Sequence, residues 1–326
     1  MSVVQIGLLL LASFFLMLAL SVPVSISLIV SSLITVSTAL PLDLGTFVAC
    51  QKMVAGVDSF SLLAVPFFIL TGVLMNTGGI AQRLINLAKC LVGRIPGGLA
   101  HTNIVGNTMF GALSGSAVAA SIAVGGVILP EEEAAGYDKK FAAAANVASA
   151  PTGLIIPPSG ILIIYAVLSG SSVVGMIMSG YIPGILWCLA CMVVAFIVAR
   201  KNKYPTSERV PVKVLFRYFV EAIPSILLIV IIIGGISSGI FTATESAAVA
   251  VAYTLFLAMV VYKSIKPSDL PGILRDACET TAVIMFLIAA SAVMSFVLSF
   301  TGLPNAIGEA LLSVSDNKYV ILLLIN

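Results

Sequence analysis

The chain has 326 residues, of which 60% are hydrophobic and 9% are charged, and its mean hydropathy is +1.17. A soluble domain carries about 25% charged residues, because these cover its water-facing surface. The composition therefore excludes a soluble enzyme, a disordered tail and a nucleic-acid-binding protein. It predicts an all-α polytopic membrane protein embedded in a lipid bilayer. With 16 Lys and Arg against 14 Asp and Glu, the near-neutral charge indicates no polyanionic partner.

Runs without a charged side chain locate the membrane segments, since a helix needs about 20 apolar residues to cross roughly 30 Å of hydrocarbon. These runs cover residues 1–42, 59–82, 95–130, 141–199, 222–244, 246–262 and 280–308. Residues 1–42 fit either one long tilted helix or two short helices that bend near Pro23. The amphipathic stretches 80–93 and 212–223 are expected to lie along the interface or to brace a scaffold.

Three basic segments, 83–94, 200–217 and 263–275, are predicted to be cytoplasmic, because Lys and Arg accumulate on that side of a membrane. The path between them leaves both ends of run 95–130 on the cytoplasmic side. A single crossing cannot satisfy that condition. The acidic turn at 131–133 that follows is expected to be solvated.

The composition of run 95–130 favours a re-entrant helical hairpin. Its helical parts, 98–112 and 117–129, would be only about 22 and 20 Å long. Small residues join them at 111–116 (GALSGS). One long tilted helix with a GxxxG packing face at Gly111 and Gly115 stays open as the alternative.

The next run contains a predicted break, NVASAPTGLIIPPSG at 146–160, with prolines at 151, 157 and 158. Proline removes a backbone donor and clashes with the preceding turn, so half-helices near 141–150 and 159–170 should flank an unwound stretch. Bare backbone is tolerated in the membrane only where it is buried in protein or lines a wet cavity. A broken helix facing a hairpin tip therefore indicates a binding site.

The side chains of this site are neutral and rich in oxygen. The break supplies Ser149, Thr152, Gly153 and Ser159, and the tip supplies Ser114 and Ser116. Unwound carbonyls and hydroxyls suit Na⁺, and the N-termini of half-helices suit an organic anion. Close packing of small residues is the alternative interpretation. Asn103 and Asn146 lie near the two motifs, and with Ser159 they are candidates for substrate contact.

Four spaced motifs, in order, resemble the large membrane subunit of tripartite ATP-independent periplasmic (TRAP) transporters, of the sialic acid, sugar-acid or C4-dicarboxylate type. They are DSFSLLAVPFFILTGVLMNTGGI (58–80), SGSAVAA (114–120), APTGLIIPPS (150–159) and GIFTATESAAVA (239–250). The resemblance implies a bacterial inner-membrane permease that imports an organic anion. It also implies a small membrane subunit and a periplasmic substrate-binding protein as partners.

The resemblance further implies an inverted-repeat fold with an elevator motion, and Na⁺ as the coupling ion with no other cofactor. The family's sodium site, carried onto this sequence, falls on Ser114, Gly115, Ser116, Ser149, Thr152, Gly153 and Pro157. Many relatives have an Asp where this chain has Ala120. The chain reaches Asn326 before a second hairpin, so the second repeat is expected to be incomplete and the sequence to be truncated.

The expected organisation has five segments. They are N-terminal scaffold helices (1–57), a span with a cytoplasmic interfacial helix (58–94), the hairpin and broken helix (95–170), a span with a basic loop (171–223), and the truncated start of the second repeat (224–326).

The remaining polar residues carry weaker hypotheses. Glu245 is an intramembrane functional candidate, although Thr242 and Glu245 also match a helix capping box, which we favour. Asn76 is expected to end its helix, with Gly78 or Gly79 as the cap.

Two further readings belong to other functional classes. A Ser114–His101 dyad would suggest an intramembrane serine protease, and a single-component Na⁺/dicarboxylate symporter is the nearer alternative. Cys188 and Cys191 form a CxxC but stand among apolar residues, which favours packing over metal binding.

Overall fold

The structure is a computed structural model that describes residues 2–157, 159–206, 211–314 and 317–325, and every regular element in these ranges is helical. In chain order the α-helices are α1 (Val3–Ala19), α2 (Val24–Val36), α3 (Leu42–Val57), α4 (Ala64–Thr77), α5 (Ile80–Val92), α6 (Gly98–Ser114), α7 (Ala117–Ala134), α8 (Lys139–Ser149), α9 (Thr152–Ile155), α10 (Gly160–Ser169), α11 (Val173–Ser179), α12 (Tyr181–Asn202), α13 (Val212–Ser237), α14 (Ala243–Phe256), α15 (Leu270–Phe300), α16 (Leu303–Val314) and α17 (Lys318–Ile325).

Among the described residues, five helical segments are long and apolar enough to cross a membrane, and the bent pair 139–155 and 160–169 would make a sixth if it forms one span. The five are Phe60–Thr77, Val173–Asn202, Lys213–Ser237, Ala243–Val261 and Pro267–Phe300. Large apolar side chains on α12, such as Ile182 and Leu186, are exposed. Such surfaces face lipid in a polytopic protein, as the composition predicts.

The chain divides into two compact units, and the first comprises residues 1–59 and 282–326. Within it the chain breaks between α1 and α2, where Ser21 has a positive φ of 60° and Pro23 precedes α2. This favours the two-helix interpretation of residues 1–42. A Cβ at Gly7 would lie 2.7 Å from Leu303 Cδ1, so α1 and α16 are in close contact.

The second unit, residues 60–281, contains the hairpin and the broken helix. Its framework pairs α14 with α4 and α13 with α5. The Thr244 hydroxyl donates to the Phe60 carbonyl at 3.0 Å, and the Arg83 guanidinium stacks on the Tyr262 ring at 3.6 Å. These contacts join the N-terminal part of the unit, which contains α4 and α5, to residues 244–262 in its C-terminal part.

Helix α5 covers the amphipathic stretch 80–93, and its apolar side chains are buried. Ile80, Leu84, Ile85 and Leu87 are each at most 3% exposed. The buried face packs on α6 and α13, which places α5 beside the first arm of the hairpin. The amphipathic pattern therefore reflects packing inside the unit.

The structure joins two segments that the sequence suggested were separate. We expected 212–223 to be an amphipathic segment next to a span beginning near 224, but α13 is continuous through Pro224. Hydrogen bonds from other parts of the unit support the backbone here: the Tyr253 hydroxyl donates to the Pro224 carbonyl at 3.1 Å and the Tyr262 hydroxyl to the Glu221 carbonyl at 3.2 Å. These bonds join α13 near the proline to the segments that follow it, although the carbonyl that loses its helical donor to Pro224 is that of Val220.

Candidate functional site

The predicted hairpin is a pair of packed helices joined by two residues. Gly115 caps α6 with φ 62° and donates its N–H to the Gly111 carbonyl at 2.8 Å. Ser116 is extended and starts α7, because its hydroxyl accepts from the Ala119 N–H at 3.2 Å. The left-handed glycine followed by a capping serine reverses the chain. The helical hairpin is confirmed over a single long helix; its entry and exit on one side of the membrane stay a prediction.

The second motif is a broken helix, but its break lies between Ile155 and Gly160; the expected unwinding from Pro151 onward is wrong, because backbone hydrogen bonds maintain a helical turn up to Ile155. Helix α8 ends at Ser149, the single turn α9 follows, and α10 begins at Gly160 with its axis bent by 48°. Ser159 caps α10 by accepting from the Leu162 N–H at 3.3 Å, and its hydroxyl also donates to the Leu154 carbonyl. Pro157 lies in the bend and is buried, while Pro158 lies outside the described residues.

The hairpin and the break meet at a pair of glycines. A Cβ built on Gly111 of α6 would lie 2.3 Å from Gly153 Cα, and one built on Gly153 would lie 2.5 Å from Gly111 Cα. Only backbone fits at such a distance, so both positions require glycine. Helix α9 also contacts α7, so the turn that precedes the bend lies against both arms of the hairpin.

Three of the predicted sodium ligands line this contact. The Ser149 and Thr152 side chains are fully buried, next to Gly153. Thr152 donates to the Ser149 carbonyl at 2.6 Å, and the Thr108 hydroxyl of α6 donates to Thr152 Oγ1 at 3.2 Å. The break therefore holds hydroxyl and carbonyl oxygens without a formal charge, the kind of donor set that a small hard cation prefers.

The other tip residues lie one helical turn away, beside α4. Ser114 Oγ is 3.4 Å from both the N–H and the carbonyl oxygen of Ser116. A Cβ on Gly72 of α4 would lie 3.4 Å from the Ser114 carbonyl oxygen, so α4 supports the tip closely. These hydrogen bonds of Ser114 are long, so its hydroxyl oxygen is only weakly hydrogen-bonded.

Asn103 and Asn146, the candidates for substrate contact, are both buried and hydrogen-bonded inside the protein. Asn146 donates to Ser121 Oγ at 3.0 Å, and Asn107 connects the two, donating to Asn103 Oδ1 and to Asn146 Oδ1 at 2.9 Å each. Sequence reasoning missed Asn107, although it stands one helical turn after Asn103 and on the same face of α6.

Glu132 is the second residue that sequence reasoning missed, because the run 131–133 was expected to be solvated. That expectation is wrong for this residue, which is fully buried, while its neighbours pair at the surface with Lys89 and Lys139. Helical geometry explains the difference: consecutive residues point about 100° apart, so one of three can face inward. Asn103 donates to its Oε2 at 3.4 Å.

Glu245 and Asn76 have structural explanations. Thr242 and Glu245 form the capping box that we favoured, in which the Thr242 N–H donates to the Glu245 carboxylate at 2.8 Å and the Glu245 N–H to Thr242 Oγ1 at 3.2 Å. Asn76 lies in the last turn of α4, and Gly78 is the cap, as predicted.

The alternative chemistries find no support in the geometry. His101 and Ser114 stand thirteen residues apart on the single helix α6, about 20 Å along its axis, which is too far for a catalytic dyad. Cys188 packs with Cys191 beside the apolar residues Ala195 and Tyr137. Among the described residues no group of three or more His, Cys, Asp or Glu could hold a metal ion.

An apolar cavity of about 330 Å³ lies behind the broken helix, between α8 and α12. Trp187 lines it and donates its indole N–H to the Ala148 carbonyl at 2.8 Å. Its lining contains no charged residue, so it differs in chemistry from the oxygen-rich break.

These features define a class first: a helical polytopic membrane protein in which a helical hairpin packs on the backbone of a discontinuous helix, a device of ion-coupled transporters. A family model described as the tripartite ATP-independent periplasmic transporter, DctM component, matches residues 11–326. The chain belongs to this family, and the predicted resemblance is confirmed.

Curated relatives agree with the family assignment. The chain is 50% identical over 96% of its length to the uncharacterized protein YgiK of Salmonella typhimurium. It is 42% identical over 85% of its length to the sialic acid TRAP transporter large permease protein SiaM of Vibrio cholerae, and 32% identical over 94% to the C4-dicarboxylate TRAP transporter large permease protein DctM of Rhodobacter capsulatus. It spans 72%, 65% and 72% of the lengths of these three proteins. The relatives named for a function are transporter permeases, not enzymes.

Proposed function

We propose that this chain forms the substrate-translocating part of the large permease subunit of a Na⁺-coupled tripartite importer for an organic anion. The observation that carries the proposal is the backbone contact of Gly111 with Gly153, which brings a helical hairpin onto the uncharged turn just before the bend of a discontinuous helix. The sodium ligands would be the tip residues 114–116 and the break residues Ser149, Thr152, Gly153 and Pro157.

The organic anion is a sugar acid or a C4-dicarboxylate. SiaM is named for sialic acid and DctM for C4-dicarboxylates, and both substrates carry carboxylates. The capped N-terminus of α10 presents free N–H groups near the break, a feature that favours a carboxylate. Ser159, Asn103 and Asn146 are the candidates for contact with this anion, the two asparagines after a change in the hydrogen bonds that now bury them.

Sodium coupling follows from the electrical work of import. Moving one elementary charge across 100 mV costs about 2.3 kcal/mol, and an anion entering a negative interior opposes that potential. Co-bound Na⁺ offsets the cost and adds the energy of its own gradient. An elevator motion of the hairpin and the break would carry both across the bacterial inner membrane.

The partners would be a small membrane subunit and a periplasmic substrate-binding protein, as the name of the matching family implies. The experiment reconstitutes the permease with both partners in proteoliposomes and measures uptake of radiolabelled sialic acid and succinate. We expect uptake of one class of anion that stops when the inward Na⁺ gradient is removed. Uptake at full rate without sodium would refute the coupling, and sodium-driven uptake without the binding protein would favour the single-component symporter.

A further inference from the structure

A chain of buried polar side chains links the last turn of α7 to the broken helix. It runs from Glu132 through Asn103 and Asn107 to Asn146 and Ser149, and each of these residues is at most 4% exposed. The Asn107 amide is 2.9 Å from both Asn103 Oδ1 and Ser149 Oγ. The proposed transport site uses Asn103, Asn146 and Ser149 of this chain, which leaves Glu132 and Asn107 without a role.

The hydrogen bonds between Asn107 and Glu132 point toward the carboxylate, and on its other side Asn107 donates toward Asn146 and Ser149. Asn107 donates to Asn103, and Asn103 donates to Glu132. That direction suits an ionised carboxylate, which can only accept. Two atoms are left over: Glu132 Oε1 and Asn107 Oδ1 are buried and have no hydrogen-bond partner among the described residues.

The Asn107 amide is at the same time surrounded by too many acceptors. Four oxygen atoms lie within 3.4 Å of its nitrogen: Asn103 Oδ1, Ser149 Oγ, Asn146 Oδ1 and the Asn146 carbonyl. An amide NH₂ has two hydrogens and cannot donate to all four. Turning the Asn107 amide over would give its free Oδ1 a donor from the Ser149 hydroxyl. This chain of side chains, here called the relay, therefore has a second arrangement of hydrogen bonds in which the side chains stay where they are and only the amide groups turn over.

We propose that Glu132 is a proton-binding site whose occupancy is transmitted to the broken helix by reversal of the Asn103–Asn107 amide relay. When Glu132 takes up a proton, its O–H becomes a donor and Asn103 turns over to accept from it. Asn103 then donates to Asn107, which turns over in its turn. Asn107 thereby stops donating to Asn146 and accepts from the Ser149 hydroxyl instead, so both hydrogen bonds to the half-helix that leads into the break change.

The groups around Glu132 favour a proton over a metal cation. Its basic neighbours are already engaged, Lys89 of α5 with Glu131 and Lys139 of α8 with Glu133 at 3.1 Å. From α6 it meets the neutral amide of Asn103, with His101 two residues earlier as the titratable side chain of that helix. From the turn after α7 the neighbour is the Tyr137 phenol, which donates to the Pro205 carbonyl.

Close packing of the relay supports the same choice of ligand. Asn107 is joined to Asn103 and Ser149 by hydrogen bonds of 2.9 Å, and the Asn103 amide nitrogen lies 3.4 Å from Glu132 Oε2, distances too short for a sodium ion to lie between these atoms. The last turn of α7 lies outside the candidate spans, and burial raises the pKa of Glu132 to about 7, with the Asn103 amide opposing the rise and Glu131 adding to it. A buried carboxyl without a basic partner is the ordinary setting for proton binding near neutrality.

The protein carries its own reporter for the far end of the relay. Trp187 is the single tryptophan of the sequence, and it bonds to the Ala148 carbonyl, between Asn146 and Ser149. Its fluorescence should therefore respond when the relay reverses. The experiment titrates tryptophan emission of the purified full chain in detergent against pH, at constant sodium, and follows carboxyl protonation by infrared difference spectroscopy.

We expect a single emission transition near neutral pH that coincides with the infrared signal of a protonated carboxyl. Both should be lost in Glu132→Gln and retained in Glu133→Gln, the matched exposed neighbour. Asn107→Ser should keep the infrared signal and lose the emission transition, because proton binding remains but the relay is cut.

Three results would overturn the proposal. An emission transition that survives in Glu132→Gln would assign it to another group, such as His101. An infrared signal without any emission change in the wild type would refute the relay. Sodium added at constant pH that produces the emission change, with no response to pH, would make the ligand sodium. If a variant fails to fold, the wild type alone still tests the proposal, because its infrared carboxyl signal and its emission transition must coincide.

Discussion

The contact of Gly111 with Gly153 predicts a sharp effect of a single methyl group. In Gly111→Ala the new Cβ would lie 2.3 Å from Gly153 Cα, whereas carbon atoms pack at about 3.5–4.0 Å. The hairpin and the break must separate by about 1 Å to admit it. Overpacking of this kind costs roughly 1–3 kcal/mol. If the cost falls on the sodium-bound arrangement, sodium affinity falls by roughly 5- to 150-fold.

The assay measures substrate uptake by proteoliposomes containing the permease and its partners as a function of sodium concentration. We expect the half-saturating sodium concentration of Gly111→Ala to rise by that factor. Gly126→Ala is the matched control, because it adds the same methyl group to the same hairpin at an exposed position with nothing within 4 Å. It should behave as the wild type. Wild-type sodium dependence in Gly111→Ala would refute the argument that this contact builds the site.

Two predictions concern stability, measured by thermal unfolding in detergent. Glu132→Gln should stabilise the protein by on the order of 3 kcal/mol above pH 7 and by very little near pH 4.5. The reason is that the pKa of Glu132 is about 7 in the folded protein and 4.5 ordinarily, so the wild type loses stability as the pH rises between these two values. An equal effect at both pH values would contradict this, and Glu133→Gln is the control. Thr242→Ala should cost about 1 kcal/mol by removing the cap of α14, whereas Thr280→Ala, at an exposed site inside α15, should cost less; equal losses would contradict the capping role.

Much of the site could be predicted because its signals are local. A left-handed glycine next to a capping serine ends one helix and starts another, which explains why the hairpin appears at Gly115 and Ser116. Prolines remove backbone donors, which explains the break between Ile155 and Gly160, where Pro157 lies. The capping residue Thr242 predicts the start of α14 in the same way. Each of these features acts within a few residues, so the sequence carries it directly.

The features that could not be predicted depend on contacts between distant segments. Glu132 lies in an acidic run that looked solvated, and its burial is set by Asn103, 29 residues earlier. Asn107 became significant only when α8 brought Asn146 and Ser149 against it. The hydrogen bond of Tyr253 to the Pro224 carbonyl of α13 likewise comes from the next helix. Without homologous sequences, a single chain carries no signal of such pairings.

The distribution of charge in the second unit fits a transporter that must return empty. The residues proposed to bind sodium, from Ser149 to Pro157 and at the tip, carry no formal charge, so an unloaded site that moved across the membrane potential would do so without electrical work. A carboxylate in the break would cost up to about 2.3 kcal/mol per 100 mV on that return. Glu132 stands two amides away from the break, and in its protonated form it is neutral as well. The proposed relay would thus allow a titratable group to influence the binding helix while the binding site itself remains uncharged.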